Sequence, residues 1–156
     1  MEGAVFYIRG EYGKQLYEIL EGIVDPSWYW SVGPEESYFI GPGGLGDPFF
    51  GADVEIMDGP TFMRHISKEK YFLIFADIKA FPTSESVVEI FNENEFMKSS
   101  CKLGLFVSDS TQVIVYSRDK QIISDIFKRA ETMGYSDIRL MTKEAIIAAI
   151  WGWMQI

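Results

Sequence analysis

Two adjacent carboxylates, Glu35 and Glu36, stand a few residues from Trp28, Trp30 and Tyr38, and a further acid, Asp77, lies two positions from Lys79. Paired carboxylates beside aromatic rings are the equipment of glycoside hydrolysis, in which one acid protonates the leaving oxygen while the other attacks or activates water. That chemistry needs a fixed carboxyl separation across the sugar, which neighbouring residues on a turn do not hold, so Glu35 and Glu36 read as charge on an aromatic surface. Asp77 and Lys79 share one face near the end of an apolar run. Rigid strand ends often carry site residues, though a strand emerging into water gives the same pattern. Alternation puts Trp28 and Trp30 on one face of a strand and Tyr29 on the other. One face must enter the core, and the other is free to anchor a partner, since Trp and Tyr bury much area with few torsions. The candidate binding residues are therefore Trp28, Trp30, Glu35, Glu36, Tyr38, Asp77 and Lys79.

Other patterns carry less. Gly41, Gly43 and Gly46 match G-x-G-x-x-G, but a dinucleotide site needs a helix opening at those glycines, and Asp47-Pro48 follows instead. Ser-x-x-Lys occurs at Ser67/Lys70, Ser99/Lys102 and Ser117/Lys120, none with a supporting second motif. His65 is the sole histidine and Cys101 the sole cysteine. His65 reads as a surface residue on an amphipathic helix, Cys101 as a buried apolar one, and no metal set, cofactor or catalytic residue is expected.

The elements that must position these residues follow from periodicity and punctuation. Residues 4–8 read as a strand and 11–21 as a helix with Leu16, Ile19, Leu20 and Ile23 at helical spacing. Residues 28–32 and 37–40 read as a strand, turn and strand around Gly33-Pro34-Glu35-Glu36, followed by a loop over 41–51. Asp58 caps a short helix opening at Pro60. Residues 71–81 form a central strand, and 102–107 with 112–116 a hairpin; Leu73, Ile74, Phe75, Leu105, Val107 and Val115 should be buried. Residues 84–91 fit an edge strand or a helix start, and 94–99 a short helix. Asp119 caps a helix ended by Gly134, 136–141 is a strand, and Thr142 caps a last helix. In that helix Ile146, Ile147, Ile150, Trp151, Trp153 and Met154 point nearly all round, so either the chain or a second copy, as a homodimer, must cover it. The expected fold is a single α+β domain over residues 1–156. It has one mixed, largely antiparallel sheet with hairpins, covered by helices, whose halves share a strand–helix–strand–strand outline compatible with duplication.

Residues 1–62 hold eleven acids and two bases, while the rest of the chain balances, so the whole formal charge of −9 resides in the N-terminal part. Such a field repels nucleic acid and attracts cationic partners. No basic leader or bilayer-length apolar run is visible, and a lone cysteine suits a reducing compartment, so a cytoplasmic protein without a membrane partner is expected. The runs EYGKQLYEIL, WYWSVGPEESYFI, YFLIFADIKAFP and LFVSDSTQVIVYSRD resemble an uncharacterised, domain-of-unknown-function family of small proteins from spore-forming Gram-positive bacteria. The resemblance implies a bacterial cytoplasmic origin and transfers no catalytic residue. By analogy alone, IFKRAETMGYSDIRLM is similar to the helix-then-strand segment of small acidic nuclease inhibitors such as barstar. The leading expectation is a non-enzymatic binding protein, inhibitor- or immunity-like, that presents an acidic aromatic surface to a basic protein. The second is a small-molecule or effector-binding domain with an apolar pocket.

Overall fold

The computed structural model describes residues 1–9, 12–33, 35–51 and 55–152. Glu11, Pro34, Asp53, Trp153 and Met154, which enter the sequence reading, lie outside them. The order is β1 (Glu2–Tyr7), α1 (Gln15–Leu20), β2 (Tyr29–Val32), β3 (Glu36–Gly41), β4 (Gly44–Pro48), β5 (Glu55–Asp58), α2 (Gly59–Lys68), β6 (Tyr71–Phe81), α3 (Glu93–Lys98), β7 (Leu103–Ser108), β8 (Gln112–Ser117), α4 (Lys120–Met133), β9 (Ser136–Met141) and α5 (Lys143–Trp151). Every strand pair is antiparallel, and the sheet runs β4-β3-β6-β7-β8-β1-β9, with β2 joining β6 and carrying β5 outside it. The chain is thus an α+β protein, with one nine-stranded antiparallel sheet among the described residues.

The helix signals act locally, as capping chemistry requires. The carboxylate of Asp58 accepts the N–H of Thr61, that of Asp119 the N–H of Gln121, and the hydroxyl of Thr142 the N–H of Ala145. Gly134 ends α4 in the left-handed region at φ 73°, where a Cβ would be strained.

Pairing between strands departs from the sequence reading at one place that matters. β2 and β3 do not form a hairpin with each other. Both lie against the same edge of β6, end to end: Tyr29 to Val32 pair with Phe81 to Ile78, and Ser37 to Phe39 with Leu73 to Tyr71. β6 has eleven residues, long enough to take two short strands in line. Gly33 and Glu35 form an irregular seam opposite Asp77, whose carbonyl accepts the N–H of Gly33. The expected loop over 41–51 contains β4, which folds back on β3 through Gly44 at φ 116°. Residues 84–91 form neither strand nor helix.

The sheet has two unequal faces. Ala76, Ile78 and Ala80 of β6, with Leu103, Leu105, Val107, Val113, Val115, Ala4 and Phe6, meet Leu16 and Leu20 of α1, Phe62 and Ile66 of α2 and Ile123 and Ile126 of α4 in the main core. On the opposite face, Phe81, Ile114, Tyr116 and Val5 pack under Phe96 of α3 and Ile146, Ile150 and Trp151 of α5. These two helices reach only one end of that face. Toward β6, β3 and β5 it stays open, with Ile56 56% exposed and Phe75 37% exposed. Leu73, Leu105, Val107 and Val115 are buried as expected, Ile74 is half-buried, and Phe75 is not buried. The apolar character of residues 71–75 on both faces does not mean that both are covered.

Trp28 and Trp30 belong to the main core. Trp30 is fully buried and stacks on Phe62 at 4.2 Å between ring centroids, with Trp28 at 6.4 Å. His65 is also more enclosed than its helix position suggests. Its Nε2 donates to the carbonyl of Phe49 at 2.6 Å, and its ring packs among Phe39, Phe49 and Phe50.

Candidate functional site

The open part of the second face is organised by β6. Asp77 and Lys79 point to it on successive outward positions, and the Lys79 ammonium donates to the Asp77 carboxylate at 2.8 Å. The Lys79 side chain is 12% exposed and that of Asp77 36%, so this is a partly buried pair with its acid toward solvent.

Beside it the seam between β2 and β3 turns Glu35 inward. The N–H of Asp77 donates to Glu35 Oε1 at 3.2 Å, so a side chain takes the place of the strand carbonyl that the irregular seam fails to supply. Glu35 Oε2 is buried and has no hydrogen-bond partner among the described residues. Burial pushes the Glu35 carboxyl up to about 9; the N–H of Asp77 pulls against this rise and the neighbouring Asp77 carboxylate adds to it. At neutral pH Glu35 is therefore a neutral acid, and the negative charge of the N-terminal part is one unit smaller than its sequence implies.

Tyr116 completes the cluster from the closed side. Gly104 sits between Lys79 and Tyr116 in the cross-strand register, and the tyrosine ring lies directly over it: a Cβ there would come within 2.1 Å of the ring carbon bearing the hydroxyl. Burial drives the Tyr116 hydroxyl well above its ordinary value, with Asp77 and Cys101 adding to the rise. That hydroxyl has no partner among the described residues. Phe106, opposite Asp77 on β7, meets Phe75 edge-on at 5.2 Å. Glu36 lies opposite Phe75 and Tyr38 opposite Phe72.

Of the residues singled out from sequence, Glu35, Glu36, Tyr38, Asp77 and Lys79 thus gather on one region of the sheet, whereas Trp28 and Trp30 do not. Phe75, Phe106 and Tyr116 were missed. Phe75 and Phe106 look like core residues in an apolar run, and the only trace of Tyr116 in the sequence is a glycine, Gly104, inside the facing strand. The set offers a neutral buried acid, an ion pair and exposed aromatic edges. Cys101 lies beside Tyr116, but its thiol is buried, donates to the carbonyl of Leu103 at 3.4 Å and is pushed up to about 11 by that burial. No group of His, Cys, Asp and Glu among the described residues has the geometry of a metal site, and no helix among them is long and apolar enough to cross a membrane.

Fold and cluster together define an α+β protein with a half-covered antiparallel sheet and a polar group set into its open face. The chain belongs to the family described as "Protein of unknown function (DUF2691)", whose model matches residues 1–149. It is 32% identical over 142 residues to the "Uncharacterized protein YncE" of Bacillus subtilis (strain 168), covering 91% of this chain and 92% of that one. A relative in a spore-forming bacterium agrees with the resemblance noted from the sequence. No solved structure matches the chain.

Proposed function

We propose that the chain is a binding protein whose open sheet face receives a basic protein partner. The observation that carries the reading is Phe75, a large apolar residue 37% exposed in the strand that otherwise forms the centre of the sheet. It meets the edge of Phe106, which lies opposite Asp77, and exposed apolar groups in a polar rim mark interaction sites more often than bare solvent surface. Glu36 is exposed opposite Phe75. With Glu35 neutral and the Lys79–Asp77 pair balanced, the net negative charge of this face rests on the exposed Glu36. Such a face would speed encounter with a cationic surface, while the aromatic groups would slow dissociation. An inhibitor- or immunity-type role is the form this takes most simply, because it asks only for a rigid complementary surface and no chemistry.

The test is capture of a basic protein from the native host on immobilised wild-type, Phe75→Ala and Glu36→Lys chains, at low and high salt. The reading expects one partner, held at low salt, weakened at high salt and lost with either substitution. Capture that survives both substitutions, or that ignores salt, overturns it.

A further inference from the structure

A second concavity lies at the far end of the sheet, outside the open face and independent of the reading above. It is a cleft of about 590 Å³ between the turn before β2 (Asp25, Ser27, Trp28), the segment entering β7 (Ser100, Cys101, Lys102) and the junction of β8 with α4 (Arg118, Asp119, Ile122). That volume lies within the range of small-molecule sites.

Its polar groups are spent unequally. Each acid has one oxygen held in a local turn or cap: Asp25 Oδ1 accepts from the N–H and the hydroxyl of Ser27 at 2.8 and 2.7 Å, and Asp119 Oδ1 from the N–H of Gln121 at 2.9 Å, so the two acids are fixed in place while balancing the formal charge of the two bases. The donors are not used up in this way. The ammonium of Lys102, the hydroxyl of Ser100 and the indole N–H of Trp28 make no hydrogen bond or ion pair with the described residues. Arg118 is steered by the Phe96 carbonyl, to which its Nη2 donates, and by the Phe96 ring beneath its guanidinium at 4.9 Å. A guanidinium has five N–H donors, so most of its fork remains to be filled, in an orientation already fixed. The accessible rim of Trp28, whose ring is otherwise in the main core, and the half-buried Ile122 supply apolar surface beside these donors.

We infer that this cleft binds a small organic anion, its carboxylate or phosphate group held by Lys102 and Arg118 and its planar or apolar body laid against Trp28 and Ile122. Unfilled donors on Lys102 and Arg118, acids fixed by local turn and cap bonds, and an apolar rim are together what such a ligand would use.

Calorimetric titration with benzoate, phenyl phosphate and phenol tests this and separates the two anions from the shared ring. At least one of the two anions should bind and phenol should not. Lys102→Met, at an exposed position that leaves the fold intact, should weaken that anion about tenfold or more; Arg118→Gln should act in the same direction. Absence of binding by both anions, equal binding of phenol, or affinity unchanged in Lys102→Met overturns the inference. Phe75→Ala should leave the titration unaltered, so this result and the capture experiment can fail separately.

Discussion

Glu35 keeps its proton at neutral pH, and this gives stability a pH dependence of defined sign. In the unfolded chain its carboxyl titrates at the ordinary 4.5, in the folded protein at about 9. The folded state holds the proton more tightly, so this group's contribution to stability is greatest below about pH 4.5, falls as pH rises and levels off above about 9. By linkage the burial costs on the order of 3 kcal/mol at pH 7. Glu35→Gln retains a carbonyl for the N–H of Asp77 and has no charge to form. It should raise stability by about 3–5 kcal/mol near pH 8 and change it little near pH 4.5; urea unfolding at both values measures this, and an equal effect at the two would remove the neutral acid from the account. Phe75 offers a second check at this scale. Because it is partly exposed, Phe75→Ala should cost about 1 kcal/mol or less, whereas Phe81→Ala, fully buried in the second core, should cost about 3–5 kcal/mol. Similar losses in both would mean that the open face is covered in solution.

Among the elements, α5 lays one side of its apolar surface on its own sheet. Its nearly uniform apolar character arises because the outward positions Ala145, Ala148 and Ala149 are alanine rather than charged, while Ile146, Ile150 and Trp151 face the sheet. Trp151 packs against both Phe96 and Tyr116 with ring centroids 5.7 Å away. Trp151→Ala should therefore destabilise by about 3–5 kcal/mol, with the sedimentation coefficient of the folded protein unchanged; a dimer falling apart instead would place the tryptophan between copies. What was legible in the sequence was what is encoded locally: the caps Asp58, Asp119 and Thr142, the αL glycine at 134, and the apolar run of β6. What was not legible depended on distant partners. Gly33-Pro34 resembles a hairpin turn, and only the length of β6 makes two in-line strands the better arrangement. β4 is hidden in a glycine- and proline-rich stretch, and β5 is four residues long. Glu35, Asp77 and Lys79 were each visible, but their meeting follows from the β2/β3 pairing with β6. Phe75 and Phe106 could not be separated from core residues, because periodicity shows that a face is apolar and not whether anything lies over it.

At the scale of the whole molecule, the two halves of the chain interleave rather than form separate sheets: β1 lies between β8 and β9, with Val5 opposite Ile114 and Ala4 opposite Leu140. Pairings so distant in sequence predict slow folding for a chain of this size, and stopped-flow refolding should be slower than in helical proteins of equal length. A chain ended after residue 101 lacks both neighbours of β1 and should show no cooperative unfolding; a cooperative transition in that fragment would mean that the first half holds a core of its own. During synthesis the consequence is one of waiting. The first strand, apolar from Ala4 to Ile8, leaves the ribosome long before either strand that will flank it has been translated. The residues that wait with it are those that carry the chain's net negative charge. Mutual repulsion among nascent copies on one message would oppose pairing between those waiting strands.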